Sequence, residues 1–206
     1  RKTILEMRII ENKMIKKISK EKKRLIIGAT GASGIPVLQK CLELIKEEED
    51  YESWLVLTKS GELTCQQESK LSVEEIKKLA DYCLEPEEIG AKPASGSFKT
   101  CGMLVVPCSM KTVAGIHSGY ADNLLLRAAD VILKEQRPLV LAARETPMSA
   151  IHLRNLYDLS MIPGVHIIPP MLTFYQKPEN IDEMVYHIAA KLLEPFGIEA
   201  KEYKRW

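Results

Sequence analysis

The sequence predicts an α/β fold, a Rossmann-like three-layer sandwich in which helices cover both faces of an open, mostly parallel sheet. Three observations support this prediction. Short apolar runs alternate with amphipathic segments along the chain, and a glycine-rich turn joins the first run to a helical pattern. Polar residues follow the apolar runs directly, where the carboxyl ends of parallel strands would form one crevice.

The predicted elements follow one another in a regular βα alternation. Strands are predicted at 24–27, 54–58, 103–107, 139–142 and 165–168. Helices are predicted at 36–48, 60–68, 73–83, 109–117, 121–135, 149–160 and 180–196. The strand at 103–107 is apolar throughout, which indicates burial on both faces, and the last helix carries an apolar stripe at helical spacing.

Composition indicates a globular protein with one core. The chain has 206 residues, 46% of them hydrophobic and 28% charged, with a net charge of +1. This balance gives no reason to expect nucleic acid as a partner, and no apolar run approaches the roughly 20 residues of a membrane span. The five cysteines are odd in number and lack CxxC spacing, so we expect free thiols in the cytoplasm and no metal site.

The first 23 residues differ from the rest. They are Lys-rich but also contain Glu6, Glu11 and Glu21, whereas a transit peptide would be poor in acidic residues. We interpret residues 1–23 as a basic N-terminal extension and 24–206 as one domain, because no internal repeat or second core is found.

The turn at Gly28–Gly34 has the spacing GxxGxxG, which differs from the GxGxxG of dinucleotide-binding folds. Backbone N–H groups at the start of the following helix would form an anion site suited to phosphate. A plain tight turn explains the same glycines, so the motif alone leaves the function open.

Hydroxyl residues mark the predicted strand ends. Ser33, Thr58, Ser109 and Thr112 all fall there, and they would line one crevice with hydroxyls and amides. Helix capping is a sufficient alternative explanation for Ser109.

Charged residues cluster in the middle of the chain. Arg127 and Lys134 share one face of a predicted helix, and Arg144 and Glu145 directly follow the fourth predicted strand. Converging cations beside a carboxylate suit a phosphate leaving group and a proton transfer. A solvated helix face would explain Arg127 and Lys134 without any site.

Together these motifs resemble the flavin prenyltransferase family of the UbiX type. The matching segments are Gly28–Gly34, Ser109–Thr112, Asp122–Glu135, Arg144–Pro147, Ile151–Leu153, Pro169–Pro170, Phe174–Tyr175 and Arg205–Trp206. The resemblance extends over nearly the whole chain after the extension. It implies a flavoprotein-type fold, with 24–206 as a flavin-binding prenyltransferase domain.

The resemblance also implies an activity. The family transfers a dimethylallyl group from dimethylallyl phosphate to reduced FMN and closes a fourth ring, without a metal. The product, prenylated FMN, serves as cofactor for a partner decarboxylase of the UbiD type. Family members assemble as large homo-oligomers, typically dodecamers.

Site residues are assigned by position in the resemblance. The flavin-binding positions are Gly31, Ala32, Ser33, Thr58, Ser109, Met110, Lys111, Thr112 and Arg144. The positions for the prenyl phosphate are Arg127, Lys134, Tyr175 and Lys191. The catalytic positions are Glu68 and Glu145 for proton transfer, with Ser33, Lys134 and the aromatic Trp206. Lys191 stands where many relatives have Arg, so a forked phosphate contact becomes a point charge.

The chemistry of these side chains is consistent with such a reaction. Ionisation of an allylic phosphate needs positive charge near the leaving group, which Arg127, Lys134 and Lys191 would supply. The allylic cation needs an aromatic environment, which Tyr175 and Trp206 would supply by cation–π attraction.

Two other functions remain open at this stage. A flavin-dependent cysteine decarboxylase of the same fold would carry a catalytic histidine in the first helical region, and Pro36–Glu48 contains none. A non-catalytic flavin carrier, acting as accessory subunit of an aromatic acid decarboxylase, would share the same crevice. Turnover with reduced flavin and dimethylallyl phosphate separates these possibilities.

Overall fold

A sheet of six parallel strands forms the centre of the fold in the computed structural model, which describes residues 21–203. The strands are β1 (Lys23–Ala29), β2 (Tyr51–Leu57), β3 (Tyr82–Leu84), β4 (Gly102–Cys108), β5 (Leu139–Ala143) and β6 (Val165–Ile167). Their order across the sheet is β3-β2-β1-β4-β5-β6. The predicted open α/β fold is confirmed, and the strand order reverses between β1 and β4, where such sheets bind ligands.

Seven α-helices connect or follow these strands in the described part of the chain. They are α1 (Ile35–Lys46), α2 (Lys59–Glu68), α3 (Val73–Lys77), α4 (Met110–Ser118), α5 (Leu124–Lys134), α6 (Ala150–Ser160) and α7 (Ile181–Leu193). Short 3-10 helices lie at Lys92–Ala94 and Glu194–Phe196. A Ser, Thr or Asn side chain caps the start of every α-helix except α1, which follows Gly34.

The helices cover the sheet on both faces. Leu25 and Ile27 of β1 point into a core shared with α1 and α7, whereas Ile26 points into a second core shared with α4, α5 and α6. This alternation is the two-residue period of a strand that is buried on both sides. The result is the predicted three-layer arrangement.

The predicted helix at 73–83 is wrong in its second half. The helix ends at Lys77, and Tyr82–Leu84 form the edge strand β3. Tyr82 pairs with Trp54 of β2 in the sheet, and the two rings stack with centroids 4.1 Å apart. Pairing with a distant strand has overridden the local helical pattern, which is a common reason for such errors.

The predicted boundary between extension and domain falls beside Lys23, the first residue of β1. Residues 1–20 and 204–206 lie outside the described residues, so most of the extension and Trp206 do as well. Among residues 21–203, no helix combines the length and the apolar character that crossing a membrane requires. All five cysteines are free.

Candidate functional site

Hydrogen bonds join the strand ends at the carboxyl edge of the sheet. The Thr58 hydroxyl, after β2, donates to the last carbonyl oxygen of β1 at 3.1 Å. The Thr30 hydroxyl, after β1, donates to the carbonyl oxygen of Pro107 in β4 at 2.9 Å. The N–H of Arg144, after β5, donates to the carbonyl oxygen of Cys108 at 3.0 Å. These contacts hold the residues that follow β1, β2, β4 and β5 in one connected rim.

A cavity of about 410 Å³ opens at this rim. It is lined by Thr30, Thr58, Lys59, Ser60, Pro86, Glu87, Ser109, Lys111, Thr112, Asp122, Asn123, Leu125 and Leu126. The cavity thus brings together four of the predicted flavin contacts, namely Thr58, Ser109, Lys111 and Thr112. Its volume lies in the range of small-molecule sites, and hydroxyls beside leucine side chains suit a ring system that carries a phosphate.

Three helices begin at this cavity, and two of them, α2 and α4, are capped there by a hydroxyl. The Thr58 hydroxyl accepts from the Gly61 N–H at 3.2 Å, and the Ser109 hydroxyl accepts from the Thr112 N–H at 3.4 Å. A cap satisfies only one of the first-turn N–H groups, so both helix starts retain the capacity to bind an anion. The Met110 side chain is 7% exposed and packs in the core, which leaves its backbone as the part that can contact a flavin.

The glycine-rich turn packs tightly against the start of α2. A Cβ atom on Gly31 would lie 2.6 Å from the Cβ of Ser60, so any larger residue would push the two loops apart. Ala32 is buried beside this turn, whereas Ser33 is exposed. The turn therefore sets the spacing between β1 and the cavity wall.

The start of α1 is occupied by the carboxylate of Glu68, at the end of α2. Its Oε2 atom accepts from the N–H groups of Gly34 at 2.9 Å and Ile35 at 3.0 Å. Partial burial disfavours the charged carboxylate, but the hydrogen bonds from Gly34, Ser33 and Ile35 and the charge of Arg144 outweigh it and lower the pKa of Glu68. The predicted anion site exists, but an internal anion fills it.

Arg144 and Glu145 are adjacent in sequence but differ in their contacts. The charge of Arg144 acts on Glu68. Glu145 accepts a hydrogen bond from the Thr146 N–H at 3.0 Å, and within residues 21–203 it forms no ion pair with Arg144. Among the described residues, the charge of Arg144 therefore acts on Glu68 at the start of α1, and Glu145 stays outside that contact.

A second cavity, of about 460 Å³, lies beside α7. It contains two of the predicted phosphate ligands, Tyr175 and Lys191. The Lys191 ammonium donates to Glu194 at 2.6 Å, and His187, one helical turn earlier, lines the same cavity. A phosphate that binds Lys191 would have to compete with the Glu194 carboxylate.

The two predicted cations of α5 do not converge on the first cavity in this chain. Arg127 forms an ion pair with Asp130 at 2.8 Å. Lys134 ends the helix next to Glu135, just before β5 begins, and therefore lies toward the amino edge of the sheet. Because α5 starts at the cavity and runs back across the sheet, nearly three helical turns carry Lys134 about 15 Å away from the start of the helix.

Several cavity residues were missed by the sequence-based prediction. Lys59 and Ser60 follow Thr58 directly, and Thr30 follows β1, so the rule that ligands bind after strand ends would have found them. Pro86 and Glu87 follow β3, which was itself missed.

Comparison with known proteins assigns the chain to a family. The model of the family described as Flavoprotein matches residues 13–193. A probable UbiX-like flavin prenyltransferase from Streptomyces sp. (strain D7) is 48% identical over 183 residues, which are 89% of this chain and 91% of that protein.

Solved structures agree with this assignment. The structure of a dodecameric FMN-dependent UbiX-like decarboxylase from Escherichia coli O157:H7 has a TM-score of 0.87 at 46% identity, covering 89% of this chain and 98% of that one. The structure of AnUbiX (PadA1) in complex with FMN and dimethylallyl pyrophosphate has a TM-score of 0.87 at 40% identity, covering 90% and 98%. A PPC decarboxylase mutant, 19% identical with a TM-score of 0.55, is similar in fold alone. The chain thus belongs to the flavoprotein family and, within it, to the UbiX-like flavin prenyltransferases.

Proposed function

We propose that this chain transfers a dimethylallyl group from dimethylallyl phosphate to reduced FMN and so makes prenylated FMN. The observation that carries the proposal is the cavity at the carboxyl edge of the sheet, where two capped helix starts and their hydroxyls meet. Its residues fit a flavin mononucleotide, because N–H groups and hydroxyls suit the phosphate while the nearly buried Leu125 and Leu126 form an apolar base beneath them.

The reaction balances without a further reactant. The allylic carbon–oxygen bond breaks, and phosphate leaves with the bonding electron pair. The reduced flavin supplies the electron pair for the first new bond, and the flavin atom that forms it gives up its proton. In ring closure the double bond of the dimethylallyl group takes up a proton, and a second flavin atom bonds to the resulting cationic carbon and loses its own proton. Two protons leave the flavin and one is taken up, so one proton is released together with the phosphate. The protein has to bind the phosphate, neutralise its growing charge and accept or move that proton.

The proposal gives each group of residues a task. The residues proposed to bind the flavin are Gly31, Ala32, Ser33, Thr58, Ser109, Met110, Lys111, Thr112 and Arg144. Tyr175 and Lys191 are proposed to bind the prenyl phosphate, with Arg127 and Lys134 as further ligands. Glu145 is the proposed proton-transfer group, and Trp206 the aromatic neighbour of the allylic cation. Ser33 and the Lys134 of a neighbouring copy act beside the reacting groups, whereas Glu68 mainly holds the glycine-rich turn in place.

A homo-oligomer, which we propose to be a dodecamer, accounts for two features of the described chain. Lys134 lies away from the cavity of its own chain, so its phosphate contact is assigned to the cavity of a neighbouring copy. Large apolar side chains are exposed on α6, directly after it and after β6, as expected of a contact surface. They are Ile151, Leu153, Tyr157, Met161, Met171, Leu172 and Phe174.

The product is proposed to pass to a UbiD-type decarboxylase in the cytoplasm, and the five free cysteines support a reducing compartment. The domain that carries this function is proposed to be 24–206, with 1–23 as an extension.

The test is turnover by the purified chain without oxygen, with reduced FMN and dimethylallyl phosphate. We expect a flavin whose mass increases by one dimethylallyl group, together with release of phosphate. Omission of the prenyl donor is the control. Flavin that binds and returns with its mass unchanged would reject the proposal and identify a flavin carrier instead.

A further inference from the structure

The Thr30 side chain links the ends of the two central strands. It is only 2% exposed. Its hydroxyl donates to the Pro107 carbonyl oxygen at 2.9 Å and accepts from the Ser109 N–H at 2.8 Å. The Thr30 N–H donates to the same carbonyl oxygen at 3.1 Å. One hydroxyl therefore uses both its donor and its acceptor capacity on the segment where β4 passes into α4.

This segment has less regular support than the rest of β4. The ladder between β1 and β4 ends at the pair Gly28 and Val105. On the other side, the register between β4 and β5 shifts between Val105 and Cys108. The contacts of Thr30 therefore continue the connection from β1 to β4 beyond the point where regular pairing stops.

The segment that Thr30 holds forms one wall of the cavity. Ser109 caps α4, and its hydroxyl lies 3.1 Å from that of Thr112. Both residues line the cavity together with Lys111. A shift of the Ser109 backbone would move all three groups at once, because they belong to one helical turn.

We propose that Thr30 is a positioning residue for FMN: its hydroxyl sets the place and direction of the first turn of α4, which binds the flavin. This inference rests on the proposed function for the identity of the ligand. It adds a residue whose task is to orient the contacts that the other residues make.

Ser53 serves as a matched control, because its hydroxyl is equally buried and hydrogen-bonded but lies away from the cavity. It distinguishes a positioning role of Thr30 from a general contribution to stability. Ser53 in β2 is 1% exposed, and its hydroxyl also has two partners, as it donates to Asp81 Oδ2 and accepts from the Asp81 N–H, both at 3.0 Å. Five residues of extended chain, about 16 Å, separate Ser53 from Thr58 at the cavity. Loss of either hydroxyl removes two buried hydrogen bonds, but only one of them borders the flavin site.

The experiment compares FMN affinity and stability in the full chain and in Thr30→Val, Thr30→Ser and Ser53→Ala. FMN affinity is measured by quenching of flavin fluorescence, and stability by denaturant unfolding without FMN. We expect Thr30→Val to weaken FMN binding about tenfold, since misplaced donors bind less well, while Thr30→Ser and Ser53→Ala stay within about twofold of wild type. Both Thr30→Val and Ser53→Ala should lower stability.

The proposal is overturned if Thr30→Val binds FMN within twofold of wild type, or if Ser53→Ala loses as much affinity as Thr30→Val. Should Thr30→Val fail to fold, Thr30→Ser decides alone, because it keeps the hydroxyl and a tenfold loss there would reject the argument. FMN binding is independent of prenyl transfer. A wild-type chain that binds FMN without transferring the dimethylallyl group would reject the proposed function alone, whereas one that does not bind FMN would reject both.

Discussion

The starts of α1 and α4 lie at the same edge of the sheet but satisfy their N–H groups in different ways. α4 is capped by its own Ser109, and its first turn lines the 410 Å³ cavity. α1 follows Gly34 and has no cap of its own, and Glu68 from another helix binds its first N–H groups. The glycine-rich turn resembles a phosphate-binding loop in sequence. In the structure it connects α1 to α2, because Glu68 at the end of α2 binds the first N–H groups of α1.

This difference separates the two candidate acids. Glu68 already accepts two backbone hydrogen bonds, so its ionised form is stabilised by the fold. Glu145 accepts one hydrogen bond from the next residue, outside any helix start. We therefore expect Glu145 to act in proton transfer and Glu68 mainly to hold the turn in place.

The largest expected effect comes from Glu145→Gln. The amide keeps the shape of the side chain but cannot exchange a proton, so the single-turnover rate at saturating FMN and dimethylallyl phosphate should fall by roughly 10²–10⁴-fold. FMN affinity and stability should stay near wild type. Glu68→Gln is the matched variant, and a rate reduction that is larger for it than for Glu145→Gln would reverse the assignment.

The central parts of the fold could be predicted from the sequence, because strands buried on both faces carry unbroken apolar runs. Strand β3 could not, since its three residues pair only along one edge and lie within a helical pattern.

The position of Lys134 was predictable in principle. A helix that starts after a strand and precedes the next one must run back across the sheet, so its last residue lies away from the ligand edge.

The site itself was predicted in part. Thr58 and Ser109 line the cavity because parallel strands place their carboxyl ends at one edge, and this rule needs no side-chain detail. The contact of Glu68 with Gly34 joins residues that are 34 positions apart. It depends on how α2 packs against α1, and no local pattern reports that.

Binding of FMN should stabilise the fold, because the ligand would complete the open start of α4. At a hundredfold excess over its dissociation constant, FMN should raise the free energy of unfolding by about 2.7 kcal/mol. Thermal melts with and without FMN measure this at fixed protein concentration. Riboflavin, which lacks the phosphate, is the control and should give a smaller shift if helix starts bind the phosphate. An equal shift would show that they do not.

Lys191, the proposed ligand of the prenyl phosphate on α7, already forms an ion pair with Glu194 of the same chain. We expect Lys191→Ala to weaken dimethylallyl phosphate binding by roughly 1.5–3 kcal/mol, as a charge-assisted contact is lost, and to leave FMN affinity unchanged. Lys191→Arg should retain or improve phosphate binding. Lys40→Ala removes a similar ion pair, with Glu43 on α1, and should affect neither ligand. Equal losses for both ligands in Lys191→Ala would contradict the assignment.

The smallest expected effect is the loss of stability in Glu68→Gln. This variant tests directly whether the Glu68 carboxylate stabilises the start of α1. The pKa of Glu68 is below its ordinary value of 4.5, so folding favours the ionised form. Its contribution to stability is complete above that ordinary pKa and is lost as the pH falls through the lower folded-state pKa. At pH 7 the variant should be less stable by about 1 kcal/mol, the usual effect of losing a helix cap, and the difference should shrink below about pH 4. Denaturant unfolding of both proteins across this range measures it.

Glu75→Gln, which changes the acid at the exposed start of α3, is the control and should show a weaker effect. A difference between Glu68→Gln and wild type that stays constant with pH would mean that the carboxylate charge does not hold the start of α1. A variant that loses FMN affinity but no stability would place Glu68 in the ligand site instead.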